Sequence, residues 1–497
     1  MKSVTLRSLP PLAQKLAEES LDWMQPYGDA ACHLLHYPGN HGHYASLDLK
    51  SDRPHLVRES AWWAVGLLLR NRGDDAAHAI AVLQAVLRWQ FNEPGRPYHG
   101  TFHRSPEEKW PPTDNSVTLQ DYDPNWRQFI GTAFLVILEK LSDRVPAALQ
   151  SRLWDSIRLA VEGEPPDRIV PAYSNIAMMQ AVLLVQAGAH FRQPAWIEAG
   201  HHLARQIDQL YSAHETFAEY NSPTYYSVVV YALRLWRLES SGAELQKLGA
   251  KMEAGLWRDL AHYYHPGLRN ICGPFDRAYG MDMTRYIAAI GLWMRLALEP
   301  DRAPCPSLAQ DFNHRHDFVL APIVALLGTE IPADVLKKWQ SGAMPQGTLH
   351  TQTIETTPSP RIATAYLAPD RMWGAESGSK QCRGDQFHAA TVHWLQPDGA
   401  LACLRLENHA PVDAVATAAG IELTATNGPD PAHLIWHLTL NAPPVLTPGQ
   451  WQLPGLTVRI QTTLPTPVLT RKKPNHYTLR HTLAPTQKAH LTLDLTR

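Results

Sequence analysis

The sequence predicts a multidomain α+β chain: an N-terminal (α/α) toroid, built as an incomplete barrel of helical hairpins, followed by a C-terminal antiparallel β-sandwich. Helical periodicity dominates the first two thirds of the 497 residues. Near Gln340 the pattern changes to short alternating runs separated by Pro, Gly, Asn and Asp, which indicates strands. Helix starts recur roughly every 50 residues, which indicates paired helices packed in a ring. We therefore predict a toroid over 1–335 and a sandwich over 345–497.

The helical segments are long and have recognisable starts. The strongest periodicity lies in 56–72, 77–91, 126–141, 176–191 and 284–298. Capping residues, in two cases followed by proline, mark four helix starts, at Asp123-Pro124, Ser174-Asn175, Ser222-Pro223 and Asp282-Met283. In the second part, runs such as HLIWHLTL and LTVRIQTT predict about eight or nine strands.

Composition excludes several classes of protein. A formal net charge of −2 with 19% charged residues argues against a protein that coats nucleic acid. The sequence contains no run of 18 apolar residues, so we predict no membrane span. The N-terminus lacks the apolar stretch of a secretion signal, so we expect a cytoplasmic protein. The five cysteines show no paired spacing, which is typical of reduced thiols: Cys32, Cys272, Cys305, Cys382 and Cys403.

Ring geometry predicts where a binding cleft lies. In a ring of hairpins every second helix points the same way, so the N-termini of the inner helices gather on one rim. The unpaired N–H groups and positive dipole ends there favour a carboxylate ligand. Flat aromatic and planar polar side chains near these starts suit a sugar, which has apolar faces and polar edges: Trp126, Tyr225, Tyr226, Arg277 and Tyr279.

The segment EYNSPTYY (219–226) is the strongest candidate for chemistry. Tyr225 and Tyr226 fall in the first helical turn, where a phenol would have a lowered pKa and transfer protons more readily. Asn175 begins a helix and could donate to a carboxylate, or it could simply cap that helix. Arg277 could bind a carboxylate with two parallel hydrogen bonds, or it could pair with Asp276 in a tight loop.

Histidine-rich loops are the other candidates. The segments HYPGNHGHY (36–44) and PYHGTFH (97–103) look metal-like, but neither shows a ligand set with supporting carboxylates, so we predict no metal. The loop histidines His99 and His103 could line the same cleft. His388, in GDQFH (384–388), opens a strand and could reach over the toroid rim.

These motifs resemble those of the polysaccharide lyases of the heparinase II/III, alginate lyase and chondroitin lyase type. EYNSPTYY is similar to the E-x-S-P-x-Y-H stretch of the heparinase II/III group, so the proton-transferring Tyr of that group falls on Tyr225, and Tyr226 replaces the His that follows. Asn175 resembles the Asn that binds the uronate carboxylate. GDQFH resembles the family's G-D-x-x-H piece and implies His388 as a second proton-transfer group, although the Asp that usually follows is absent here.

The resemblance implies β-elimination at a uronic acid in an oligosaccharide or polysaccharide, with no cofactor. Tyr225 and His388 would move protons, while Asn175 and Arg277 would neutralise the carboxylate. The remaining substrate-binding candidates are Trp126, Glu219, Tyr220, Asn221, Tyr226, Asp276, Tyr279, His99 and His103. Two alternatives stay open: a glycoside hydrolase with paired carboxylates drawn from Glu219, Asp276, Asp282 and Asp123, and a carbohydrate-binding protein without catalysis.

Overall fold

The computed structural model describes residues 4–39, 51, 53–357, 359–379, 381–382 and 386–496. Within them a helical part is followed by two antiparallel sheets, which confirms the predicted fold class. The helices are α1 (Pro11–Met24), α2 (Val57–Arg70), α3 (Asp75–Leu87), α4 (Trp126–Lys140), α5 (Ala147–Glu162), α6 (Ser174–Phe191), α7 (Pro194–His214), α8 (Tyr225–Trp236), α9 (Gly242–Tyr263), α10 (Ile290–Met294), α11 (Ala321–Leu327) and α12 (Ala333–Ser341).

Four helical hairpins form the ring: α2 with α3, α4 with α5, α6 with α7, and α8 with α9. The inner helices α2, α4, α6 and α8 contact one another in sequence, and the short helix α11 contacts both α8 and α2. Inner helix α4 is buried without a break from Trp126 to Leu138, because it has neighbours on all sides. The outer helix α7 buries only one narrow stripe, as expected for a helix at the surface.

Three of the four predicted helix starts are confirmed, since α4, α6 and α8 begin at or within three residues of them. The fourth, at Asp282-Met283, was wrong. Asp282 accepts hydrogen bonds from the backbone N–H and hydroxyl of Thr284 in a turn. The following backbone pairs with Asn313, which accepts from the N–H of Ile287. This long-range pairing delays the next helix to Ile290.

The strands form two hairpins inside the helical part and a sandwich after it. The hairpins are β1 (Leu35–His36) with β2 (His55–Leu56), and β3 (Tyr264–His265) with β4 (Asn270–Ile271). The sandwich strands are β5 (Thr348–Glu355), β6 (Arg361–Leu367), β7 (Arg371–Ser377), β8 (Ala390–Leu395), β9 (Leu401–Asn408), β10 (Val412–Ala416), β11 (Gly420–Thr426), β12 (Ala432–Thr439), β13 (Val445–Thr447), β14 (Gln450–Leu453), β15 (Leu456–Thr462), β16 (Val468–Lys473), β17 (His476–Leu483) and β18 (Lys488–Asp494).

An eight-stranded sheet, in the order β16-β17-β12-β9-β8-β7-β6-β5, faces a six-stranded sheet, in the order β10-β11-β18-β15-β14-β13. The predicted eight or nine strands were too few. Edge strand β16 is exposed at every residue and so shows no alternation. Strand β7 is buried at five consecutive residues and shows none either.

The central strands of the eight-stranded sheet are buried on both faces. One face packs on the second sheet through residues such as Trp394 and Trp436. From the other face, Ala363 and Met372 join the apolar core of the toroid. Gly374 of β7 lies so close to the toroid that a Cβ there would overlap the carbonyl oxygen of Gly273. This close packing holds the loop after β4 against the sandwich.

No described helix is both long and apolar enough to cross a membrane.

Candidate active site

A pocket of about 290 Å³ opens where the inner helices of the toroid begin. Its lining includes one residue from the first turn of each inner helix: Arg58 of α2, Trp126 of α4, Asn175 of α6 and Tyr225 of α8. The first N–H groups of a helix have no partner within the helix and carry a partial positive charge. The helix starts therefore place partial positive charge at this pocket, which the carboxylates of Asp123 and Asp317 also line.

A chain of hydrogen bonds links Asn175, Glu219, Arg277 and Tyr225. Glu219 Oε2 accepts from the backbone N of Asn175 at 3.0 Å and from its Nδ2 at 2.6 Å. Glu219 Oε1 accepts from Arg277 Nη1 at 2.9 Å. Arg277 Nη2 donates to Tyr225 Oη at 2.7 Å, and its Nε donates to Gln386 of the sandwich at 2.9 Å. The structure thus brings Asn175, Tyr225 and Arg277 together in one place.

Asn175 binds a carboxylate of the protein itself, that of Glu219. Its side chain is fully buried, and its amide N–H donates to Glu219. It does not cap α6 either, since the cap position is Tyr173. Asn175 Oδ1 has no hydrogen-bond partner among the described groups. The side chain therefore fixes Glu219, which in turn holds Arg277.

The environment of Tyr225 keeps its phenol protonated. Burial raises its pKa well above the ordinary value, the neighbouring Tyr279 raises it further, and Arg277 acts in the opposite direction. The Arg277 guanidinium lies 3.7 Å from the centre of the Tyr225 ring, and the Tyr225 and Tyr279 hydroxyls share a hydrogen bond. The prediction of a lowered pKa at the helix start was wrong, because desolvation outweighs the helix end.

Trp126 and Tyr279 give the pocket aromatic faces. The Arg58 guanidinium lies 5.3 Å from the ring centre of Trp126. Tyr279 stacks on His314 with ring centres 4.7 Å apart and planes 16° apart.

Four predicted substrate contacts have structural roles and do not line this pocket: Tyr220, Asn221, Tyr226 and Asp276. Asn221 Nδ2 donates to the carbonyl oxygens of Cys272 and Pro274. Asp276 accepts from the backbone N–H of Tyr220 and pairs with Arg361 of β6. These contacts hold the segment 219–226 against the loop that carries Arg277, and so they fix the position of that loop beside the pocket.

His388 lines a neighbouring pocket of about 830 Å³ between toroid and sandwich, whereas Tyr225 does not. Tyr279 and His314 line both pockets. His388 is buried, its Nε2 lies 3.2 Å from the carbonyl oxygen of Ala278, and burial together with Arg405 lowers its pKa to about 3. His388 therefore lies in the pocket that adjoins the Tyr225 pocket. Gly384 and Asp385 of the same motif lie outside the described residues.

The other histidines predicted for the cleft lie elsewhere. Neither His99 nor His103 lines either pocket. His103 is buried, its ring stacks on Phe91 at 4.1 Å, and burial lowers its pKa to about 4. His99 Nδ1 accepts a hydrogen bond from the backbone N–H of Glu93. In HYPGNHGHY, His41 and His43 lie outside the described residues.

Two buried histidines predict a loss of stability in acid. Burial lowers the pKa of His388 to about 3 and that of His393 to about 4, against about 6.5 in an unfolded chain. The unfolded state therefore binds more protons below about pH 6.5, so stability falls as the pH drops from there towards the folded pKa values. We expect the Tm to decline over that window.

His393→Gln should show a shallower decline of Tm, because its amide can still donate to Met281, as His393 Nε2 does, without titrating. His490→Gln, at an exposed site, serves as the control and should follow the wild-type slope. Equal slopes in the wild type and His393→Gln would contradict the assignment.

The carboxylates predicted for a hydrolase do not converge. Hydrolysis needs two carboxyl groups flanking one glycosidic bond. Glu219 is bound to Asn175 and Arg277, Asp276 is bound to Arg361, and neither lines the Tyr225 pocket. Asp282 lines the neighbouring pocket, and Asp123 is the one predicted carboxylate that lines the pocket of Tyr225.

Sequence reasoning missed Arg58, His314, His316 and Asp317, which also line the Tyr225 pocket. His314 Nδ1 is 3.4 Å and His316 Nε2 is 3.6 Å from the Asp317 carboxylate. These three could bind a metal ion, although Arg58 already places a cation 3.9 Å from Asp317. The segment DFNHRHDF (311–318) lies just before α11, so the polar residues before a helix start were the available signal.

Residues 14–329 match the family described as "Domain of unknown function (DUF8769)". No curated protein matches the chain significantly.

Among solved structures, a Streptomyces coelicolor A3 chondroitin AC lyase in complex with chondroitin sulphate is 11% identical, with 98% of this chain and 80% of that chain covered and a TM-score of 0.47. Heparinase III is 11% identical, with 99% and 86% covered and a TM-score of 0.48. A Paenibacillus xanthan lyase is 10% identical, with 98% and 57% covered and a TM-score of 0.37. Likeness at this level carries no conclusion about activity.

Proposed function

The chain belongs to the DUF8769 family, described as a domain of unknown function, and from its pocket we propose that the protein cleaves a uronic-acid-containing glycan by β-elimination. One observation carries the proposal. The Tyr225 phenol lies 2.7 Å from the Arg277 guanidinium, inside a pocket surrounded by the N-terminal ends of the inner helices. A protonated phenol beside a fixed cation, in a pocket that attracts a carboxylate, suits the elimination of a uronate.

The carboxylate of the substrate makes elimination possible. Loss of the C5 proton places negative charge on the uronate carboxylate as an enolate, and this charge needs cationic or N–H partners in the transition state. The dipoles of the inner helices supply positive potential, and Arg58, which also pairs with Glu59, supplies a cation. Arg277 adds a second cation, which Glu219 and Asn175 hold in place. Asn175 is therefore a positioning residue in this mechanism.

Two side chains are assigned to proton transfer. His314 takes the C5 proton, because Asp317 orients its imidazole and the ring lies in the same pocket. The C4–O bond then breaks, a C4=C5 double bond forms, and Tyr225 donates its proton to the leaving oxygen. Hydrogen bonds from Arg277 and Tyr279 stabilise the phenolate that results. His388 has no part in this scheme, since it lies in the neighbouring pocket.

The test is a panel of uronate-containing glycans incubated with the purified protein. Elimination forms a conjugated double bond that absorbs in the ultraviolet, and the product masses add up to the mass of the substrate. Products that gain one water per cleavage, without the chromophore, would identify a hydrolase and contradict the proposal. Binding without any cleavage across the panel would favour a carbohydrate-binding protein.

A further inference from the structure

Four side chains with metal-binding atoms meet beside the hairpin of β1 and β2: Asp29, Cys32, His36 and His55. Asp29 Oδ2 lies 3.1 Å from His55 Nε2 and 3.4 Å from His36 Nε2. Ligand atoms of Asp29, Cys32 and His55 all lie within 4.8 Å of one another. These residues are partly buried and line neither of the two pockets. The cluster is therefore separate from the proposed active site.

We propose that Asp29, Cys32, His36 and His55 form a structural zinc site. Ligand atoms about 2.1 Å from a tetrahedral zinc ion lie about 3.4 Å from one another. The separations of the two imidazole nitrogens from the Asp29 oxygen match that value. One thiolate, two imidazoles and one carboxylate are ligands that zinc accepts, and a thiolate in the set disfavours magnesium and calcium. Asp29, Cys32 and His55 lie within reach of one ion, and His36 Nε2, 3.4 Å from Asp29 Oδ2, would complete a set of four ligands with no open position, which is typical of structural zinc.

The partners of the two histidines support this assignment. His36 Nδ1 lies 2.9 Å from the carbonyl oxygen of Arg53, which can only accept a hydrogen bond. His55 Nδ1 lies 2.5 Å from Glu107 Oε1, a carboxylate that likewise accepts. Each Nδ1 therefore carries a proton, and in a neutral ring Nε2 presents its lone pair towards Asp29. A carboxylate or carbonyl behind the imidazole is the usual arrangement around protein-bound zinc.

The cluster needs a cation at its centre. If both imidazoles were neutral, two lone pairs and a carboxylate oxygen would face one another, which is electrostatically unfavourable, so either a zinc ion or a proton on His55 lies between them. A zinc ion would satisfy all of them together with the Cys32 sulfur, which accepts a hydrogen bond from the backbone N–H of Leu34. The rival explanation is a protonated His55 held between Glu107 and Asp29. In that explanation the Cys32 thiol donates a hydrogen bond to Asp29 and binds no metal ion.

A zinc ion here would stabilise the first turn of α2, which lines the Tyr225 pocket. It would bind the segment 29–36 to β2, which runs directly into α2 and its pocket residue Arg58. The backbone N–H of Val57 donates to the carbonyl oxygen of Arg104, another pocket residue. Removing the ion would therefore loosen the first turn of α2.

Metal analysis of the full chain, purified without a chelator or a metal-affinity tag, tests the proposal. We expect one zinc ion per protein chain, measured as metal content by elemental mass spectrometry. Cys32→Ser should reduce this at least tenfold, whereas Cys382→Ser, which removes an exposed cysteine elsewhere, should leave it unchanged. After removal of metal with a chelator, zinc chloride should raise the Tm of the wild type and not of Cys32→Ser.

A second measurement uses the unmodified chain, in case Cys32→Ser fails to fold. Iodoacetamide should label Cys32 only after chelation, while Cys382 reacts in both states. A wild type that carries no zinc and shows no rise in Tm with zinc chloride would overturn the proposal. Labelling of Cys32 at the same rate with and without zinc would overturn it too, and would favour the protonated His55.

Discussion

Tyr225→Phe is expected to lower kcat on a cleaved glycan by about 10²–10⁴-fold, the usual contribution of a positioned acid or base. The change removes one hydroxyl, and with it the proton for the leaving oxygen. It also removes the acceptor of the Arg277 hydrogen bond. Substrate binding should weaken by no more than one hydrogen bond, about 0.5–1.5 kcal/mol. Initial rates by ultraviolet absorbance and binding by calorimetry would separate the two effects.

Tyr264→Phe is the matched control. It removes a hydroxyl of the same kind, which donates to the carbonyl oxygen of Arg302 outside the pocket. This variant should lose a little stability and keep its kcat. An unchanged kcat in Tyr225→Phe would remove Tyr225 from the mechanism. Equal losses in the two variants would show that stability, and not proton transfer, explains the effect.

Arg277→Ala should lower kcat by about 10²–10³-fold, the cost of removing one preorganised group that stabilises transition-state charge. The variant also leaves Glu219 without its cation and breaks the hydrogen bond to Gln386 in the sandwich. Arg277→Lys keeps the charge but loses the planar set of donors that reaches Glu219, Tyr225 and Gln386 together. Its activity should therefore fall between those of the wild type and Arg277→Ala.

The control for Arg277 is Arg302→Ala. Arg302 also donates to the protein through its guanidinium, to the carbonyl oxygens of Trp339 and Gln340, and it does not line the pocket. We expect a lower Tm and an unchanged kcat for this variant. If Arg277→Ala retained wild-type kcat, the cation beside Tyr225 would have no catalytic role.

Local signals in the sequence predicted the part of the site that belongs to helix starts. Caps and periodicity located the starts of α4, α6 and α8, and the alternation of hairpins placed those starts on one rim. Trp126, Asn175 and Tyr225 could be found in this way because each lies in the first turn of an inner helix. The same reasoning failed at Asp282, where pairing with Asn313 competes with the helix.

Partners that are distant in the chain left no local signal. Glu219 and Arg277 are 58 residues apart, and Arg277 and Gln386 are 109 apart. The carboxylate behind His55 comes from Glu107, 52 residues further on. The same limit explains why His388 could not be assigned to one pocket or the other.

The amino-acid sequence alone determined the two-part architecture and the polar rim of the toroid, because periodicity, caps and turns act within a few residues of one another. Only the tertiary structure decided which of the rim residues face a cavity, which are buried behind it, and in which direction the pKa of Tyr225 moves. Desolvation and hydrogen-bond distance depend on groups that packing brings together. The positions of these groups along the chain do not reveal that they are in contact.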